Sequence, residues 1–178
     1  MPFSLGQQSL TKLAQVHPDL VRVVKTAIGL STQDFTVENG LRSDADQLAA
    51  FKAGNSKLNG IAVGQTVNGI KGTGRGNHQA NLTDGLSHAV DLTPWVDGKI
   101  LWAAVPGNKQ WSYIYPVAAA MRTAAIAEKV TIRWGGVWDK MLGDLPDGAA
   151  ALEKALGDYK VRHAGPDFVD GPHYEIKL

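Results

Sequence analysis

The sequence Gly76-Asn77-His78-Gln79-Ala80-Asn81-Leu82-Thr83-Asp84-Gly85-Leu86-Ser87-His88-Ala89-Val90-Asp91-Leu92 runs from a glycine- and asparagine-rich loop into a short apolar segment. Asn, Asp and Gly favour turns, whereas the apolar residues 89–92 are typical of a strand. The stretch carries two histidines and two aspartates, and imidazole and carboxylate groups are common metal ligands. It therefore predicts a loop-to-strand junction at which a metal ion could bind.

A second cluster of the same residue types lies near the C-terminus, at Asp167-Phe168-Val169-Asp170-Gly171-Pro172-His173-Tyr174-Glu175. Two His/Asp clusters far apart in sequence are typical of a mononuclear metal site whose ligands come from different elements. The alternative is that both are ordinary surface loops, because Asp, Asn and Gly favour turns anyway. The chain has no cysteine, so thiolate ligands and disulfides are excluded.

The composition indicates one globular domain over residues 1–178, with 44% hydrophobic and 20% charged residues. The formal net charge of +1 and the lack of a basic run argue against nucleic acid as a partner. No stretch approaches the roughly 20 apolar residues of a membrane span, and no signal peptide is visible. We therefore expect synthesis in the cytoplasm and no membrane insertion.

Helices and short strands are predicted to alternate irregularly, which favours the α+β class. Helical spacing or capping residues predict helices over residues 9–15, 18–28, 44–53, 116–128 and 148–156. Gly29, Gly54 and Gly157 are the predicted stops of three of them. Strand signals occur at residues 35–37, 61–63, 65–67, 89–92, 100–102, 130–134 and 173–178, with a hairpin turn at 96–99. His17 is predicted to be a helix-start residue and not a metal ligand.

Four short motifs follow one another in the order of a known family. They are Gly40-Leu41-Arg42 with Gln47, Ser87-His88-Ala89-Val90-Asp91-Leu92, Arg133-Trp134-Gly135-Gly136 with Trp138, and Asp170-Gly171-Pro172-His173-Tyr174-Glu175. The chain resembles the zinc D,D-carboxypeptidase and L-alanyl-D-glutamate endopeptidase family, in particular its bacteriophage endolysin branch. The resemblance implies a small antiparallel sheet with flanking helices around a single zinc site, similar to hedgehog and D,D-peptidase domains.

The resemblance also implies roles for individual residues. Asp91 and His173 match the second and last zinc ligands of the family pattern, and Asp170 matches the general base. Arg42 matches the residue that grips a substrate carboxylate or carbonyl oxygen, with Gln47 in support. A set of two imidazoles and one carboxylate leaves a fourth zinc position for water, as a catalytic site requires.

The first zinc ligand departs from the family spacing, which places a histidine seven residues before Asp91, where this chain has Asp84. We predict His78 as the ligand, with residues 79–86 as an enlarged loop. His88 is the alternative, although strand alternation points it away from Asp91. Asp84 ranks third, because zinc prefers nitrogen donors at such a site.

Other side chains have two open interpretations. Glu175 shares a strand face with His173, so it could orient that imidazole or be an ordinary strand-face carboxylate. Five aromatic residues could line a cleft or pack in the core: Trp102, Trp111, Tyr113, Tyr115 and Trp138.

The function implied by the resemblance is hydrolysis of peptidoglycan stem peptides, most plausibly at the L-alanyl-D-glutamate bond. The alternatives are a D-alanyl-D-alanine carboxypeptidase and a catalytically silent, zinc-stabilised cell-wall-binding module. We expect a monomer that is made in the host cytoplasm and acts on the cell wall after the membrane has been permeabilised.

Overall fold

The computed structural model describes residues 2–101, 110–163 and 169–177 of the chain. Trp102, which ends a predicted strand, and Asp167 and Phe168, which begin the C-terminal cluster, lie outside the described residues. So does Leu178, the predicted end of the last strand.

Within these residues, eight strands, numbered in chain order, lie in two antiparallel sheets. They are β1 (Phe35–Asn39), β2 (Thr66–Val67), β3 (Ile70–Lys71), β4 (Ala89–Val96), β5 (Lys99–Ile100), β6 (Ile132–Trp134), β7 (Val137–Met141) and β8 (His173–Ile176). The main sheet has the order β1-β4-β8-β6-β7, with β5 paired to β4, and β2 and β3 form a separate hairpin. In its register Asp91 on β4 lies between Asn39 on β1 and His173 on β8. This register brings together the two segments that carry the His/Asp clusters.

The described residues also form five α-helices: α1 (Gln7–Leu13), α2 (Pro18–Leu30), α3 (Asp44–Lys52), α4 (Trp111–Glu128) and α5 (Ala149–Arg162). Of these, α1, α2, α4 and α5 pack against the main sheet, and α4 also packs against α2 and α5. A 3₁₀ turn (Leu142–Asp144) follows β7. The core includes buried apolar side chains of α2, α4 and α5, and those of strands β1, β4, β6, β7 and β8 of the main sheet. Among the described residues, no helix is both long and apolar enough to cross a membrane.

The α+β class is confirmed, and so are the two helix starts with clear local signals. Pro18 stands in the first turn of α2, and the Nδ1 of His17 accepts a hydrogen bond from the Asp19 amide, as expected of a helix-start residue. Ser43 caps α3 by accepting from the Asp46 amide, and Gly54 follows with a φ of +78°.

Several element boundaries were wrong. Gly29 and Gly157 lie inside α2 and α5, so neither ends its helix. α4 begins at Trp111 and contains Pro116, because the buried side chains of its first turns anchor it in the core. The helix predicted over residues 148–156 begins one residue later, at Ala149, and continues to Arg162. Residues 61–63 are not a strand, and β7 was not predicted.

Candidate metal centre and catalytic cleft

Three buried side chains from distant parts of the chain converge on one point. The Nε2 atom of His78 lies 3.0 Å from Asp91 Oδ1 and 3.2 Å from His173 Nδ1, and the last two atoms are 3.2 Å apart. Two ligand atoms bound to zinc at 2.0–2.1 Å in a tetrahedral arrangement are about 3.3 Å apart. These three atoms, which we call the donor triangle, therefore fit three corners of a tetrahedral zinc site and leave the fourth corner open.

Backbone contacts hold His78 in the tautomer that a metal ligand needs. Its Nδ1 lies 2.8 Å from the carbonyl oxygen of Gly40, and its own carbonyl accepts the Arg42 amide at 2.8 Å. The imidazole therefore donates through Nδ1 to Gly40 and presents the lone pair of Nε2 to the cluster. A side chain at Gly40 would collide with the backbone of Lys12, which explains why glycine precedes Leu41-Arg42.

The second nitrogen of His173 faces Glu175, with 3.4 Å between Nε2 and Oε2. A proton on Nε2 leaves the lone pair of Nδ1 for the cluster. Glu175 also accepts hydrogen bonds from Arg133 and from the Asn77 side chain. The guanidinium of Arg133 lies 5.3 Å from the ring centre of Trp138. Of the two interpretations left open for Glu175, the structure shows the contact with the His173 imidazole, whereas the contributions of Asn77 and Arg133 were not predicted.

The second oxygen of Asp91 is held as well. Asn39 donates to it at 2.9 Å from the neighbouring strand, and Arg42 Nη2 lies 3.5 Å away. Asn39 was missed in the sequence, because only the β1–β4 register shows that it faces Asp91. These contacts fix the carboxylate so that Oδ1 points into the donor triangle.

Buried charges of opposite sign set the electrostatics of the cluster. Burial opposes ionisation of Asp91, but the two imidazoles hold its pKa well below the usual range. Burial likewise opposes the charged form of His173, but hydrogen bonds with Asp91 and Glu175 raise its pKa to about 10. Glu175, despite burial, has its pKa lowered to about 2, chiefly by His173. The site is therefore built to hold positive charge.

Asp170 stands at the edge of this cluster, in the turn that leads into His173. The turn is fastened to the Trp-Gly-Gly motif, because Asp170 donates its amide to Gly135 and Gly135 donates to the His173 carbonyl, both at 2.9 Å. A side chain at Gly135 would collide with the Asp170 carbonyl oxygen. Burial raises the pKa of the Asp170 carboxyl above its ordinary value, and the negative charge of Asp91 raises it further.

Gln47 and Arg42 form a pair on the opposite side. Gln47 is only 1% exposed, and its side-chain oxygen accepts from Arg42 Nη1 at 3.1 Å. Its amide nitrogen donates to Ser56 Oγ at 2.9 Å and to the Leu58 carbonyl at 2.6 Å. Gln47 therefore orients the Arg42 guanidinium and ties it to residues 56–58.

A cleft of about 360 Å³ opens over the cluster. Four basic residues line it, of which three have ion-pair partners: Arg133 with Glu175, Arg75 with Asp44 at 3.4 Å, and Arg42 with Asp91 at 3.5 Å. The fourth basic residue is Lys57. The cleft therefore offers positive charge for an anionic ligand next to the donor triangle.

Of the candidate aromatic residues, Trp138 alone is among the described residues that line the cleft. Trp111 and Tyr115 are buried in the core, and Tyr113 is not part of the cleft wall. The ring centre of Trp138 lies 5.3 Å from that of His173.

His88 and Asp84 lie apart from the donor triangle. The Nε2 of His88 contacts Asp84 Oδ2 at 2.8 Å, and its ring packs edge-on against His17. The structure thus brings His78, and not His88 or Asp84, to Asp91 and His173. This arrangement agrees with residues 79–86 being an enlarged loop.

Known proteins resemble this chain over most of its length. The family model of the phage L-alanyl-D-glutamate peptidases matches residues 1–176. The L-alanyl-D-glutamate peptidase of Escherichia phage T5 is 26% identical over 147 residues, which cover 83% of this chain and 89% of that protein. The crystal structure of the L-Ala D-Glu endopeptidase ChiX of Serratia marcescens matches with a TM-score of 0.62 and 27% identity, over 99% of this chain and 91% of that one.

The family model and both relatives are described as acting on the L-alanyl-D-glutamate bond, which is the first of the two bond specificities that the resemblance implied. The matched residues include β1, β4 and β8, the turn at Asp170 and all three members of the donor triangle. The chain therefore belongs to the family of phage L-alanyl-D-glutamate peptidases.

Proposed function

We propose that this protein hydrolyses the bond between L-alanine and D-glutamate in peptidoglycan stem peptides, with Zn²⁺ held by His78, Asp91 and His173. The observation that carries the proposal is the buried triangle of donor atoms, 3.0–3.2 Å apart, beside the carboxyl of Asp170. The family match and the names of both relatives support the choice of bond.

The donor set favours zinc among the common metals. Two imidazole nitrogens suit zinc better than calcium or magnesium, which prefer oxygen ligands. When bound, zinc would polarise the scissile carbonyl and lower the pKa of a water molecule. Glu175 and the Gly40 carbonyl fix both imidazoles in the tautomers that this set requires.

Asp170 is the proposed proton carrier. Its carboxylate would accept the proton of the attacking water and deliver it to the amine of D-glutamate as the peptide bond breaks. The raised pKa suits this role, because a stronger base accepts a proton more readily and still returns it to the leaving group. General acid–base catalysis of this kind contributes about 10²–10⁴-fold.

Arg42 and Lys57 are the proposed contacts to the substrate. D-glutamate has two carboxyl groups, so one stays free when the other is linked to the next residue of the peptide. Arg42 is oriented by Gln47 and still has donors to offer as a fork to a carboxylate. Among the described residues, Lys57 has no ion-pair partner, so its charge is available in the cleft.

We further propose that residues 1–178 form one catalytic domain and that the protein acts as a monomer. It would reach the cell wall from the host cytoplasm after the membrane has been permeabilised.

Mass spectrometry of digested, purified peptidoglycan tests the bond and the metal together. The expected product is a peptide with a new amino-terminal D-glutamate, absent after chelation and restored by zinc. Release of terminal D-alanine instead would indicate a carboxypeptidase, and an intact substrate with zinc-loaded protein would indicate a silent binding module. Asp170→Asn, which keeps the side-chain volume, is the inactive control.

A second variant tests the substrate contact. Arg42→Lys keeps the positive charge but replaces the guanidinium fork by a single ammonium group. We expect a higher KM for the stem peptide with the zinc content unchanged. An unchanged KM and kcat would show that Arg42 serves only to hold Asp91.

A further inference from the structure

A second group of two histidines and one aspartate lies outside the catalytic cleft. His17, Asp84 and His88 each offer a ligand atom, and these atoms all lie within 4.8 Å of one another. None of the three residues takes part in the mechanism above. We propose that they form a second binding site for Zn²⁺ or a similar transition-metal ion, with a structural role.

Backbone pairing between distant segments sets the positions of the two histidines. The amide of His17 donates to the Ser87 carbonyl, and the amide of Ser87 donates to the Gln15 carbonyl, both at 2.9 Å. Val16 and Ser87 thereby form a parallel bridge. Because each histidine directly follows one of the bridge residues, the two rings are held side by side.

The histidine pair resembles the pair in the donor triangle. The rings of His17 and His88 have centroids 5.2 Å apart at 80°, and those of His78 and His173 are 5.0 Å apart at 71°. Asp84 supplies the carboxylate. Its Oδ1 is held by the Leu86 amide at 2.9 Å, and its Oδ2 contacts His88 Nε2 at 2.8 Å. Two imidazoles and one carboxylate are again a donor set that suits zinc.

The hydrogen bonds of these residues can be exchanged for bonds to a metal ion. An ion would replace the contact between His88 Nε2 and Asp84 Oδ2. His17 now accepts the Asp19 amide at 3.3 Å, a long hydrogen bond that binding would replace. Asp84 is exposed to solvent, so water can complete the coordination shell.

An ion at this site would fasten the enlarged loop, residues 79–86, which directly follows His78, the first proposed zinc ligand. The amide of His88 donates to the Asn77 carbonyl at 2.8 Å. The side chain of Asn77 in turn donates a hydrogen bond to Glu175, and Asn77 directly precedes His78. The enlarged loop, residues 79–86, therefore runs between the donor triangle and the second cluster. Metal binding would tie its far end to the start of α2, and the expected consequence is a more stable loop.

Zinc titration of metal-free protein tests the proposal. Isothermal calorimetry should give two zinc equivalents for the unmodified chain and one for His88→Asn or His17→Asn. Asparagine is a good helix N-cap, so His17→Asn removes the ligand but keeps the start of α2. His163→Asn is the matched control, because His163 is exposed beside Asp139 at 3.2 Å and should leave both equivalents in place.

His78→Ala separates the two sites, because it should remove the other equivalent and leave the second cluster loaded. Cobalt absorption spectra of the variants report each site independently of peptidase activity. A single equivalent in the unmodified chain would overturn the proposal, as would a second equivalent that survives both His17→Asn and His88→Asn. Circular dichroism confirms folding, and if His88→Asn fails to fold, His17→Asn decides.

Discussion

Replacing Gly171 with alanine should slow hydrolysis by moving the general base. A Cβ at this position would lie 2.8 Å from the ring of Trp111, about 0.6 Å short of the 3.4 Å at which ordinary contact begins, and 3.1 Å from Ile114 Cγ2. Both neighbours are buried in the close-packed core, where a side chain has little room to move. The turn from Asp170 to His173 must therefore shift instead. Because a misplacement of about 1 Å can reduce catalysis about 100-fold, a shift of this size should lower kcat/KM roughly tenfold.

Overpacking should also destabilise the fold by about 1–3 kcal/mol. The measurements are kcat/KM on a synthetic stem peptide, zinc content and thermal unfolding. The matched control is Gly157→Ala in α5, where no atom lies within 4 Å of the added methyl group. That change should leave the rate unaltered and stabilise the protein by roughly 0.5–1 kcal/mol. If Gly171→Ala keeps the unmodified rate and melting temperature, close packing against Trp111 is not what positions Asp170.

Three further predictions concern the donor triangle. Asp170→Asn should reduce kcat by about 10²–10⁴-fold while zinc analysis still finds the metal, since a proton acceptor and not a ligand is removed; near-normal turnover would assign the base elsewhere. Glu175→Gln should weaken zinc binding about 10–100-fold in a chelator competition, because His173 loses a charged partner and Arg133 its counterion. The pKa of His173 is raised to about 10, so zinc must displace its proton at neutral pH. Apparent zinc affinity should therefore rise with pH, roughly tenfold per unit at most, and continue to rise above pH 8; a plateau near pH 7 would contradict this.

The parts of the fold that could be predicted are those with local chemical signals. Ser43 and Pro18 mark helix starts because a capping oxygen or a fixed φ acts on the nearest backbone groups alone. The apolar run at residues 89–92 and the alternation after His173 likewise predicted strands, and these are β4 and β8.

Tertiary packing determined the helix boundaries that local sequence signals predicted wrongly. Gly29 and Gly157 lie within helices because a single glycine costs about 1 kcal/mol, less than the burial of Val23 and Val24 in α2 contributes. Pro116 is similarly accommodated in α4 because Trp111 and Ile114 bury the turn before it.

In the candidate site, too, some residues could be predicted from local signals and others depended on the tertiary fold. Short family motifs in the sequence identify Asp91, Asp170 and His173. The choice between His78 and His88, however, depends on the path of the loop between them. That path is set by the pairing of residue 16 with residue 87, which no local pattern reveals. Asn39 acts across the β1–β4 register, so it too was invisible before the fold was known.

The donor triangle has a consequence for the lifetime of the molecule. A metal ion shared by His78 and His173 would join positions 95 residues apart in a chain that has no cysteine. By the entropy argument used for disulfides, closing a loop of this length destabilises the unfolded chain by roughly 4–5 kcal/mol. Zinc would then serve as a cross-link in a chain that cannot form disulfides. In zinc-poor surroundings the enzyme would be inactive and would also unfold more often, so proteases would remove it sooner.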